Sequence, residues 1–381
     1  MAGAFLLTLA RGQLARGHDV LALAPHDAGL PERSEIDGVR IARYRYGSDA
    51  QETLAYRGNM HEQVFSSWRA RGRLLRLLSA SRAAVRRAER EFRPDVIHVH
   101  WWFPGGLAVW PRATGGAPVV LTSHGTDLFL LDRSAATRAL AAPIFRTAAE
   151  VTVISTPLVP RVAALGVDAA HVTVVPMPMD ESTFRADGPP PHESKTLLFV
   201  GRLIERKGPE YAVRALASLR GAGRDVRLTL VGDGPDRAAL ERLAGALGVL
   251  DFVTFTGALP PAEVSRMYRC AAVLLMPAVT DWKGEQEGFG MVIVEAMAAG
   301  VPVVATRSGG IGDIVRDSEN GLLVAERDAE GLARAALRLL DDAGLARRLS
   351  ERARADVRER FSAARIAETF DAVYRRAAAR R

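Results

Sequence analysis

Cysteine is almost absent from this chain of 381 residues, which contains only Cys270. A single thiol excludes a disulfide framework and a cysteine-based zinc site. Long apolar runs are lacking too. The best candidate, at 292–304, is interrupted by Glu295, Gly300 and Pro302 and falls short of the about 18–20 residues of a membrane span. Since the first residues also lack a basic leader, we predict no signal peptide and expect a cytoplasmic protein.

Two sequence patterns that would indicate other functions are missing. No Gly-x-Gly-x-x-Gly follows an early strand, which argues against a nicotinamide oxidoreductase. Basic and aromatic residues do not interleave as they do in nucleic-acid-binding proteins, so we predict no nucleic-acid partner. The formal charge of 51 − 44 = +7 nevertheless favours anionic partners, such as phosphorylated small molecules or an acidic lipid surface.

The rest of the composition is typical of a globular protein, and the length predicts two domains of about 150–200 residues. Short runs rich in valine, isoleucine and leucine alternate with helical stretches, which indicates βαβ units around parallel sheets. We predict strands at 19–24, 95–100, 118–122, 150–154 and 172–175, and again at 196–200, 227–231, 252–255, 272–276, 302–305 and 321–324. The fold class is therefore α/β, with two doubly wound domains.

The predicted domain boundary lies at 179–195, where no periodic apolar face exists and Gly188 precedes three prolines. This gives an N-terminal domain at 1–178, a linker at 179–195 and a C-terminal domain at 196–361. A doubly wound domain normally opens with a strand that lies in the middle of its sheet, whereas this chain opens on a predicted helix. We therefore expect the first strand of the N-terminal domain to be missing from this sequence.

The densest cluster of candidate site residues includes Glu287 and Glu295. Glycines on both sides of Phe289 allow backbone N–H groups to approach a ligand, and the predicted helix at 291–299 offers its N-terminus to an anion. Two carboxylates beside this helix suit a ligand rich in hydroxyl groups, because each oxygen accepts hydrogen bonds. The alternative is that Glu287 caps the helix and Glu295 extends its carboxylate to solvent.

Two cations and a glycine turn follow predicted strands of the C-terminal domain. Arg202 and Lys207 come directly after the strand at 196–200, at the carboxyl edge where such sheets bind ligands. They can clamp a pyrophosphate, or they can be solvated. Gly232 follows the next strand and can approach a nucleotide, although Asp-Gly-Pro is also ordinary turn chemistry.

The N-terminal domain also places polar residues at strand ends. His124 and Asp127 follow the strand at 118–122, where the position and the adjacent glycine favour a functional histidine over a structural one. Trp101 and Trp102 follow the strand at 95–100. They line an acceptor pocket or merely pack, and the sequence leaves both interpretations open.

Taken together, the motifs resemble the retaining glycosyltransferases of family 4, which use nucleotide sugars. These enzymes have the GT-B fold, in which two Rossmann-like domains face each other across a cleft. The similarity covers nearly the whole chain. The motifs that carry it are RGHDV at 16–20, DVIHVH at 95–100, SHGTD at 123–127, GRLIERKG at 201–208, VGDGP at 231–235, EGFGMVIVEAMAAGVPVVA at 287–305 and the glycine pair at 309–310.

The resemblance implies a role for each matching residue. Arg202 and Lys207 neutralise the donor diphosphate, Glu295 binds the nucleotide ribose, Glu287 holds the sugar hydroxyls and His124 lies near the reacting sugar. The implied catalytic residues are His124, Glu287, Arg202 and Lys207. The implied donor-binding residues are Arg202, Lys207, Gly232, Glu287, Phe289, Gly290, Met291 and Glu295, and the acceptor-side candidates are Trp101, Trp102 and Asp127.

The resemblance also implies a reaction. A hexosyl unit moves from a nucleotide-diphospho-sugar to a hydroxyl acceptor with retention, and the leaving diphosphate helps to deprotonate the acceptor. We expect no cofactor and no metal, because the Asp-x-Asp motif of the metal-dependent glycosyltransferases is absent. The C-terminal helix at 362–381 is expected to complete the N-terminal domain, as in the family.

Several points stay open at this stage. The acceptor is a lipid-linked glycan, a polysaccharide or a small metabolite, and neither the base nor the sugar of the donor is specified. The glycine-rich loop that follows the first strand in the family has no counterpart in this sequence. This leaves a non-catalytic sugar-nucleotide-binding homologue, or a GT-B epimerase, as the alternative.

A predicted helix at about 62–92 is rich in arginine. Between Trp68 and Arg93 it holds nine arginines, at positions 69, 71, 73, 76, 82, 86, 87, 90 and 93. Such a helix can dock on anionic lipid at the inner leaflet of a membrane, or it can simply be a solvated face. We expect a cytoplasmic protein in either case.

Overall fold

A computed structural model describes residues 3–56, 60–111, 116–184 and 194–380. The chain divides into two compact units. Unit 1 comprises Met1–Ile154, Leu158–Pro178 and Ala363–Arg381, and unit 2 comprises Ser155–Pro157 and Met179–Ser362. Among the described residues, no helix is both long enough and apolar enough to cross a membrane.

Unit 1 is an α/β unit whose strands form two sheets, ordered β1-β3-β2 and β4-β5-β6-β7. The strands are β1 (Leu21–Pro25), β2 (Arg33–Ile36), β3 (Val39–Tyr44), β4 (Ile97–His100), β5 (Val119–Ser123), β6 (Glu150–Val153) and β7 (Val172–Val174). The helices are α1 (Ala4–Ala15), α2 (Met60–Ser66), α3 (Trp68–Glu91), α4 (Leu107–Val109), α5 (Thr126–Phe129), α6 (Ala135–Thr147), α7 (Val159–Ala163) and α15 (Ala363–Ala378).

The two sheets of unit 1 each end on a strand that has one unpaired edge among the described strands. β1 pairs in parallel with β3, and β4 pairs in parallel with β5. Edge strands present unpaired backbone N–H and C=O groups. The sequence analysis expects a further strand at the centre of this unit, and that expectation stays a prediction.

The sequence analysis missed a hairpin in unit 1. β2 and β3 pair antiparallel, and Asp37 and Gly38 form the turn between them with φ values of 50° and 82°. Positive φ at both central positions is typical of a type I′ turn, for which Asp-Gly is a strong signal. Unit 1 is therefore not purely parallel. The single helix predicted at 62–92 is also two helices, because Ser67 is extended between α2 and α3.

The helix α15 is held against α1 and β6 within unit 1. The Asp371 carboxylate accepts from Arg16, with Nη2 at 2.5 Å, and lies 2.8 Å from Nε2 of His18. On the other side of the helix, Arg376 donates to the buried Glu150 of β6 at 2.9 Å. Ile366, Phe370 and Val373 of α15 share a buried cluster with Leu9 and Val120.

Unit 2 is a six-stranded parallel sheet ordered β10-β9-β8-β11-β12-β13. Its strands are β8 (Thr196–Val200), β9 (Arg227–Val231), β10 (Val253–Gly257), β11 (Val273–Met276), β12 (Val303–Thr306) and β13 (Leu322–Val324). Its helices are α8 (Glu181–Phe184), α9 (Pro209–Gly221), α10 (Arg237–Ala246), α11 (Pro261–Cys270), α12 (Met291–Ala299), α13 (Ala329–Asp341) and α14 (Ala343–Asp356).

The strand order of unit 2 locates a crevice at the edge of its sheet. From β8 the chain adds β9 and β10 on one side, then crosses to the other side for β11, β12 and β13. The strand order therefore reverses between β8 and β11. In open α/β sheets, ligands bind outside the carboxyl ends of the strands at such a reversal. A ligand site is therefore expected at the residues that follow β8 and β11.

The predicted linker at 179–195 differs from what is observed. Met179 is buried, and its N–H donates to the carbonyl of Phe361 at 2.8 Å. The ring of Phe184 lies edge-on to that of Tyr268 at 6.0 Å. Residues 179–184 are therefore packed into unit 2, because their apolar side chains are buried there, and residues 185–193 lie outside the described residues.

Candidate functional site

Lys207 and Glu287 meet at the reversal of strand order in unit 2. Lys207 lies in the turn after β8, Glu287 lies in the loop between β11 and α12, and Nζ of the lysine is 2.5 Å from Oε2 of the glutamate. Gly208 makes this approach possible. Its φ is +66°, and a Cβ there would lie 1.8 Å from the carbonyl oxygen of Pro277. The turn after β8 can therefore lie directly against the end of β11.

The carboxylate of Glu287 is ionised at neutral pH although most of its side chain is buried. Burial by itself would raise the pKa of Glu287, but the nearby Lys207 and Arg206 outweigh it and lower the pKa below the usual glutamate value. Arg206 also forms an ion pair with Glu285. Two ion pairs, Arg206 with Glu285 and Lys207 with Glu287, thus lie beyond the carboxyl ends of β8 and β11.

Arg202 contributes a cation without a counter-ion at the same edge. Its side chain is exposed, two residues after the end of β8, and no described residue forms an ion pair with it. An exposed guanidinium can bind a phosphate through two parallel N–H···O bonds without first leaving another partner. A bound anion would therefore have to displace Glu287 from Lys207, whereas it would displace no described counter-ion from Arg202.

Glu295 lies on α12, just over one turn from its start. It is the only ionisable residue of the helix, whose other side chains are mostly buried. The hydroxyl of Tyr268 on α11 donates to Oε2 of Glu295 at 3.0 Å. Burial raises the pKa of Glu295 to about 6, although Tyr268 and Lys207 both oppose the rise. Glu295 is therefore close enough to Lys207 for the charge of the lysine to lower its pKa.

The sequence analysis missed Tyr268. It lies on α11 among the buried residues Val264 and Ser265, and its ring is fully buried. That spacing reads as an ordinary core face of a helix. The available signal was that a buried tyrosine hydroxyl needs a hydrogen-bond partner, and the partner is 27 residues away in the sequence.

The remaining donor-binding candidates contribute backbone. The ring of Phe289 is buried and lies 5.8 Å from that of Phe361. Gly290 precedes α12 with φ 105°, and Met291 begins the helix. A Cβ on Gly232 would lie 1.9 Å from the carbonyl oxygen of Gly201, so packing alone accounts for glycine there. Contact of these residues with a donor stays a prediction.

Unit 1 contains a cluster of three imidazoles on and just after β4 and β5, which we call the histidine cluster: His98 and His100 of β4, and His124 after β5. Nδ1 of His100 lies 3.0 Å from Nε2 of His124, and His98 bridges the hydroxyls of Tyr374 and Thr122. Burial lowers the pKa of all three, that of His100 to about 3. The histidines are therefore neutral, and in the pair of His100 and His124 one imidazole donates while the other accepts.

Two of the acceptor-side candidates, Trp102 and Asp127, are buried within unit 1. Asp127 is buried, and its carboxylate accepts from the backbone N–H groups of Trp102 and His124 at 3.0 and 2.9 Å. Trp102 is also buried, and its indole N–H donates to the carbonyl of Asp127. Both residues fix the local backbone, because their polar atoms are already used. Trp101 stays a candidate, since it is partly exposed with its ring 4.6 Å from that of His124.

One group of side chains within the described residues is close enough to hold a metal, namely His26, Asp49 and Glu52. Nδ1 of His26 lies 2.5 Å from Glu52, and Nε2 lies 2.7 Å from the carbonyl of Leu30. Glu52 also accepts from the backbone N–H of Tyr46 at 2.8 Å. Because both nitrogens of His26 are used, we assign this group a structural role. The expectation of a metal-independent reaction stays a prediction.

Comparison with known proteins identifies relatives over the whole chain. The family described as "Glycosyl transferases group 1" matches residues 180–356, and "Glycosyltransferase Family 4" matches residues 2–183. The chain is 35% identical to D-inositol 3-phosphate glycosyltransferases of Acidothermus cellulolyticus, over 69% of this chain and 64% of that one, and of Frankia alni, over 69% and 70%.

A solved structure supports the same assignment. Sucrose-phosphate synthase from Thermosynechococcus elongatus superimposes with a TM-score of 0.79 at 25% identity, covering 99% of this chain and 93% of the other. The resemblance drawn from the sequence motifs and the prediction of two Rossmann-like α/β units are thereby confirmed. This chain belongs to the glycosyl transferases of group 1, within glycosyltransferase family 4, and has their GT-B fold.

Proposed function

We propose that this protein is a retaining, metal-independent hexosyltransferase that uses a nucleotide-diphospho-sugar as donor and a hydroxyl group as acceptor. Arg202 and Lys207 bind the diphosphate, Glu287 binds hydroxyls of the donor sugar and Glu295 binds the ribose. The donor site is defined here as these four residues of unit 2. From the family resemblance, we assign His124 of unit 1 a role in contacting the reacting sugar.

The observation that carries the proposal is the 2.5 Å contact between Lys207 and Glu287 at the reversal of strand order. A nucleotide sugar combines an anionic diphosphate with hydroxyl-rich sugars. A site for it needs cations and carboxylates side by side, and the pair supplies one of each. Arg202 adds a second cation, and Glu295 adds a second carboxylate close enough to Lys207 to be affected by its charge.

The proposed chemistry uses these charges directly. The bond from the anomeric carbon to the diphosphate oxygen breaks, and the acceptor oxygen bonds to the same carbon on the same face. The leaving diphosphate takes the proton from the acceptor hydroxyl. Lys207 and Arg202 stabilise the negative charge that develops on the diphosphate, and such fixed charges are a large source of catalysis. Neutral His124 can hydrogen-bond a sugar hydroxyl.

We leave the acceptor as one of three classes: a lipid-linked glycan, a polysaccharide or a small metabolite. Relatives are named for D-inositol 3-phosphate and for sucrose phosphate, so phosphorylated small molecules are the first acceptors to test. The positive net charge of +7 agrees with anionic acceptors.

We further propose that α3 docks on anionic lipid. Trp68 and Leu75 are 76% and 69% exposed, although both are apolar. Arg86 and Arg90 lie 18 and 22 residues after Trp68, which is close to five and six helical turns, so the four side chains share one face. Tryptophan favours the membrane interface, and each nearby arginine adds about 1 kcal/mol on an anionic surface. A peripheral position on the inner leaflet follows from this proposal.

The transfer reaction is tested by incubating the protein with UDP-, GDP- and ADP-sugars and each acceptor class. Release of the nucleoside diphosphate reports turnover, and NMR of the product reports its anomeric configuration. We expect one donor to react, with retained configuration and an undiminished rate in EDTA. Inversion, or loss of activity in EDTA that Mg²⁺ or Mn²⁺ restores, would contradict the mechanism.

A non-catalytic sugar-nucleotide-binding protein is the second candidate. The observation that favours it is that unit 1 holds two separate sheets, in which β1 and β4 each have one edge without a partner among the described strands. This candidate predicts a donor that binds and depends on Arg202, with no transfer to any acceptor class. Turnover with any acceptor eliminates it.

A further inference from the structure

We propose that Tyr268 is a positioning residue of the donor site: its hydroxyl holds one oxygen of Glu295 and leaves the other free to accept from a ribose hydroxyl. The proposal rests on the ribose role of Glu295 proposed above. It concerns a residue that the motifs do not include, on a different helix from the one that carries the carboxylate.

The geometry gives the Tyr268 hydroxyl a specific task. The ring is fully buried on α11, and the hydroxyl oxygen lies 3.0 Å from Oε2 of Glu295 and 3.2 Å from the carbonyl oxygen of Val292. Both acceptors are on α12. A hydroxyl has one hydrogen, and an ionised carboxylate is a stronger acceptor than a helix carbonyl that already has a partner. The hydroxyl therefore anchors the carboxylate of α12 to the neighbouring helix α11.

The other carboxylate oxygen is left without a protein donor. Among the described residues, Tyr268 alone donates a hydrogen bond to Glu295, and it reaches only Oε2. Oε1 is not among the buried polar atoms that lack a partner, and the side chain is partly exposed. A carboxylate accepts through both oxygens. One oxygen is thus fixed by the protein, and the other remains for a ligand that approaches from the sheet edge.

The charge state of both groups fits this arrangement. Burial, together with the adjacent Glu295, raises the pKa of Tyr268 well above its usual value, so the hydroxyl stays a donor throughout the neutral range. Burial raises the pKa of Glu295 to about 6, and the hydrogen bond from Tyr268 opposes that rise. Without the hydroxyl the pKa of Glu295 would be higher, and more of it would be protonated at pH 7.

Helix α11 also carries Glu263, Arg266 and Arg269, but within the described part of the chain only Tyr268 and Lys207 are side chains that shift the pKa of Glu295. Lys207, in the turn after β8, lowers the pKa of Glu295. Arg354 of α14 donates to the carbonyl of Ala299, at the opposite end of the helix. The short helix α8, which packs against α12, carries Glu181, and α8 contacts Tyr268 through the ring of Phe184. Tyr268 and Lys207 are therefore the groups whose removal should change Glu295.

The test compares two probes that differ only in the ribose. The first is the nucleoside diphosphate, among UDP, GDP and ADP, that binds the parent protein, and the second is its 2′,3′-dideoxy form. Calorimetry gives the ratio of their dissociation constants from pH 5.5 to 9. Because both probes carry the same diphosphate, titration of the phosphate cancels in the ratio. Variants Tyr268→Phe, Glu295→Gln and the double variant are measured with the parent.

We expect the parent to prefer the ribose form by about tenfold or more above pH 7, and to lose the preference around pH 6. In Tyr268→Phe the preference should fall several-fold, and its midpoint should move up by about one pH unit. Glu295→Gln should abolish the preference, and adding Tyr268→Phe to it should change nothing further. Tyr211→Phe is the matched control. Its hydroxyl accepts from Arg327 at 3.3 Å, away from Glu295, and it should behave as the parent.

Two outcomes separate the possible failures. If Glu295→Gln abolishes the preference but Tyr268→Phe keeps the parent's ratio and midpoint, the role of Tyr268 is wrong and the donor site stands. If Tyr268→Phe binds both probes more weakly but keeps the ratio of their dissociation constants, the role of Tyr268 is wrong as well, because loss of a purely structural tyrosine would have that effect. If the parent binds no diphosphate, or Glu295→Gln keeps the preference, the proposed function fails at Glu295 and this inference fails with it.

Discussion

Lys207 and Glu287 are each other's counter-ion, with Nζ and Oε2 2.5 Å apart at the carboxyl ends of β8 and β11. We have assigned the cation to the diphosphate of the donor and the carboxylate to its sugar. A donor that binds here must therefore exchange an internal ion pair for two external contacts. Arg202, which is exposed, makes no such exchange.

Replacement of Lys207 tests this relationship. Lys207→Met should weaken binding of the nucleoside diphosphate by about 10–100-fold, because a hydrogen bond to a charged group is worth roughly 1.5–3 kcal/mol. It should also destabilise the protein by about 1–3 kcal/mol at pH 7, since Glu287 loses its partner. Calorimetry and urea unfolding measure the two effects. Lys195→Met is the control, because Lys195 pairs with Asp225 on the surface, where water screens the pair.

The pH dependence of the Lys207 effect has a definite sign. The pKa of Glu287 in the folded protein lies below its usual value, so the pair contributes fully to stability above the unfolded pKa. That contribution is lost as the pH falls through the folded pKa. The difference in unfolding free energy between the parent and Lys207→Met should thus be largest near pH 7 and shrink below about pH 4. A difference that grows on acidification would contradict the ion pair.

The histidine cluster should make unit 1 sensitive to acid. Burial lowers the pKa of His98, His100 and His124, so below about pH 6.5 the unfolded chain binds protons that the folded protein does not. The unfolding free energy should therefore decrease as the pH is lowered, by up to about 1.4 kcal/mol per pH unit for each histidine. His100→Gln should reduce the slope measured by urea unfolding between pH 7 and 5. His171→Gln, which replaces an exposed histidine, should not reduce the slope. If His100→Gln has the same slope as the parent, the account is refuted.

The carboxylate of Asp371 should stabilise the contact between α1 and α15. Arg16 donates to it, and His18 lies 2.8 Å from it. Burial raises its pKa, but Arg16 and His18 outweigh burial and lower it overall. Asp371→Asn should cost about 1.5–3 kcal/mol of unfolding free energy, and the loss should diminish at low pH, where the parent carboxylate is protonated as well. Glu368→Gln, on the exposed face of the same helix, should cost about 1 kcal/mol or less.

Lipid docking by α3 is tested with vesicles. The parent should bind vesicles that contain phosphatidylglycerol more tightly than phosphatidylcholine vesicles, and added salt should weaken the binding. Replacing Arg86 and Arg90 with serine should reduce the affinity by about 30-fold, which corresponds to about 1 kcal/mol for each arginine. Co-sedimentation measures the affinity. The control replaces two exposed arginines of unit 2, Arg266 and Arg334, and equal losses in both variants would indicate net charge rather than α3.

Much of the fold was predictable because its signals are local. Each strand of unit 2 is a short apolar run, and the observed strands begin or end within two residues of the predicted ones. The hairpin of β2 and β3 was missed although its Asp37-Gly38 turn is also a local signal. The packing of Met179 and Phe184 into unit 2 could not be predicted, because their partners Phe361 and Tyr268 are far away in the sequence.

In the candidate site, too, the residues with local sequence signals were predictable, whereas their contacts with distant residues were not. Arg202, Lys207, Glu287 and Glu295 were predictable individually from motifs at strand ends and at a helix start. That Lys207 pairs with Glu287 depends on which strands are neighbours, and the sequence does not state the order β8-β11. The burial of Asp127 and Trp102 was likewise invisible, because a polar residue after a strand can serve a ligand or its own backbone.

The central claim is that Arg202 belongs to a binding site for a nucleoside diphosphate. Calorimetry of UDP, GDP and ADP with the parent protein, Arg202→Ala and Arg214→Ala tests it most directly, because Arg214 is an exposed arginine of the same unit that pairs with Glu210. We predict that one diphosphate binds the parent and Arg214→Ala alike, and that Arg202→Ala weakens it by about 10-fold or more. Binding that is the same in all three proteins, or absent from the parent, would contradict the account.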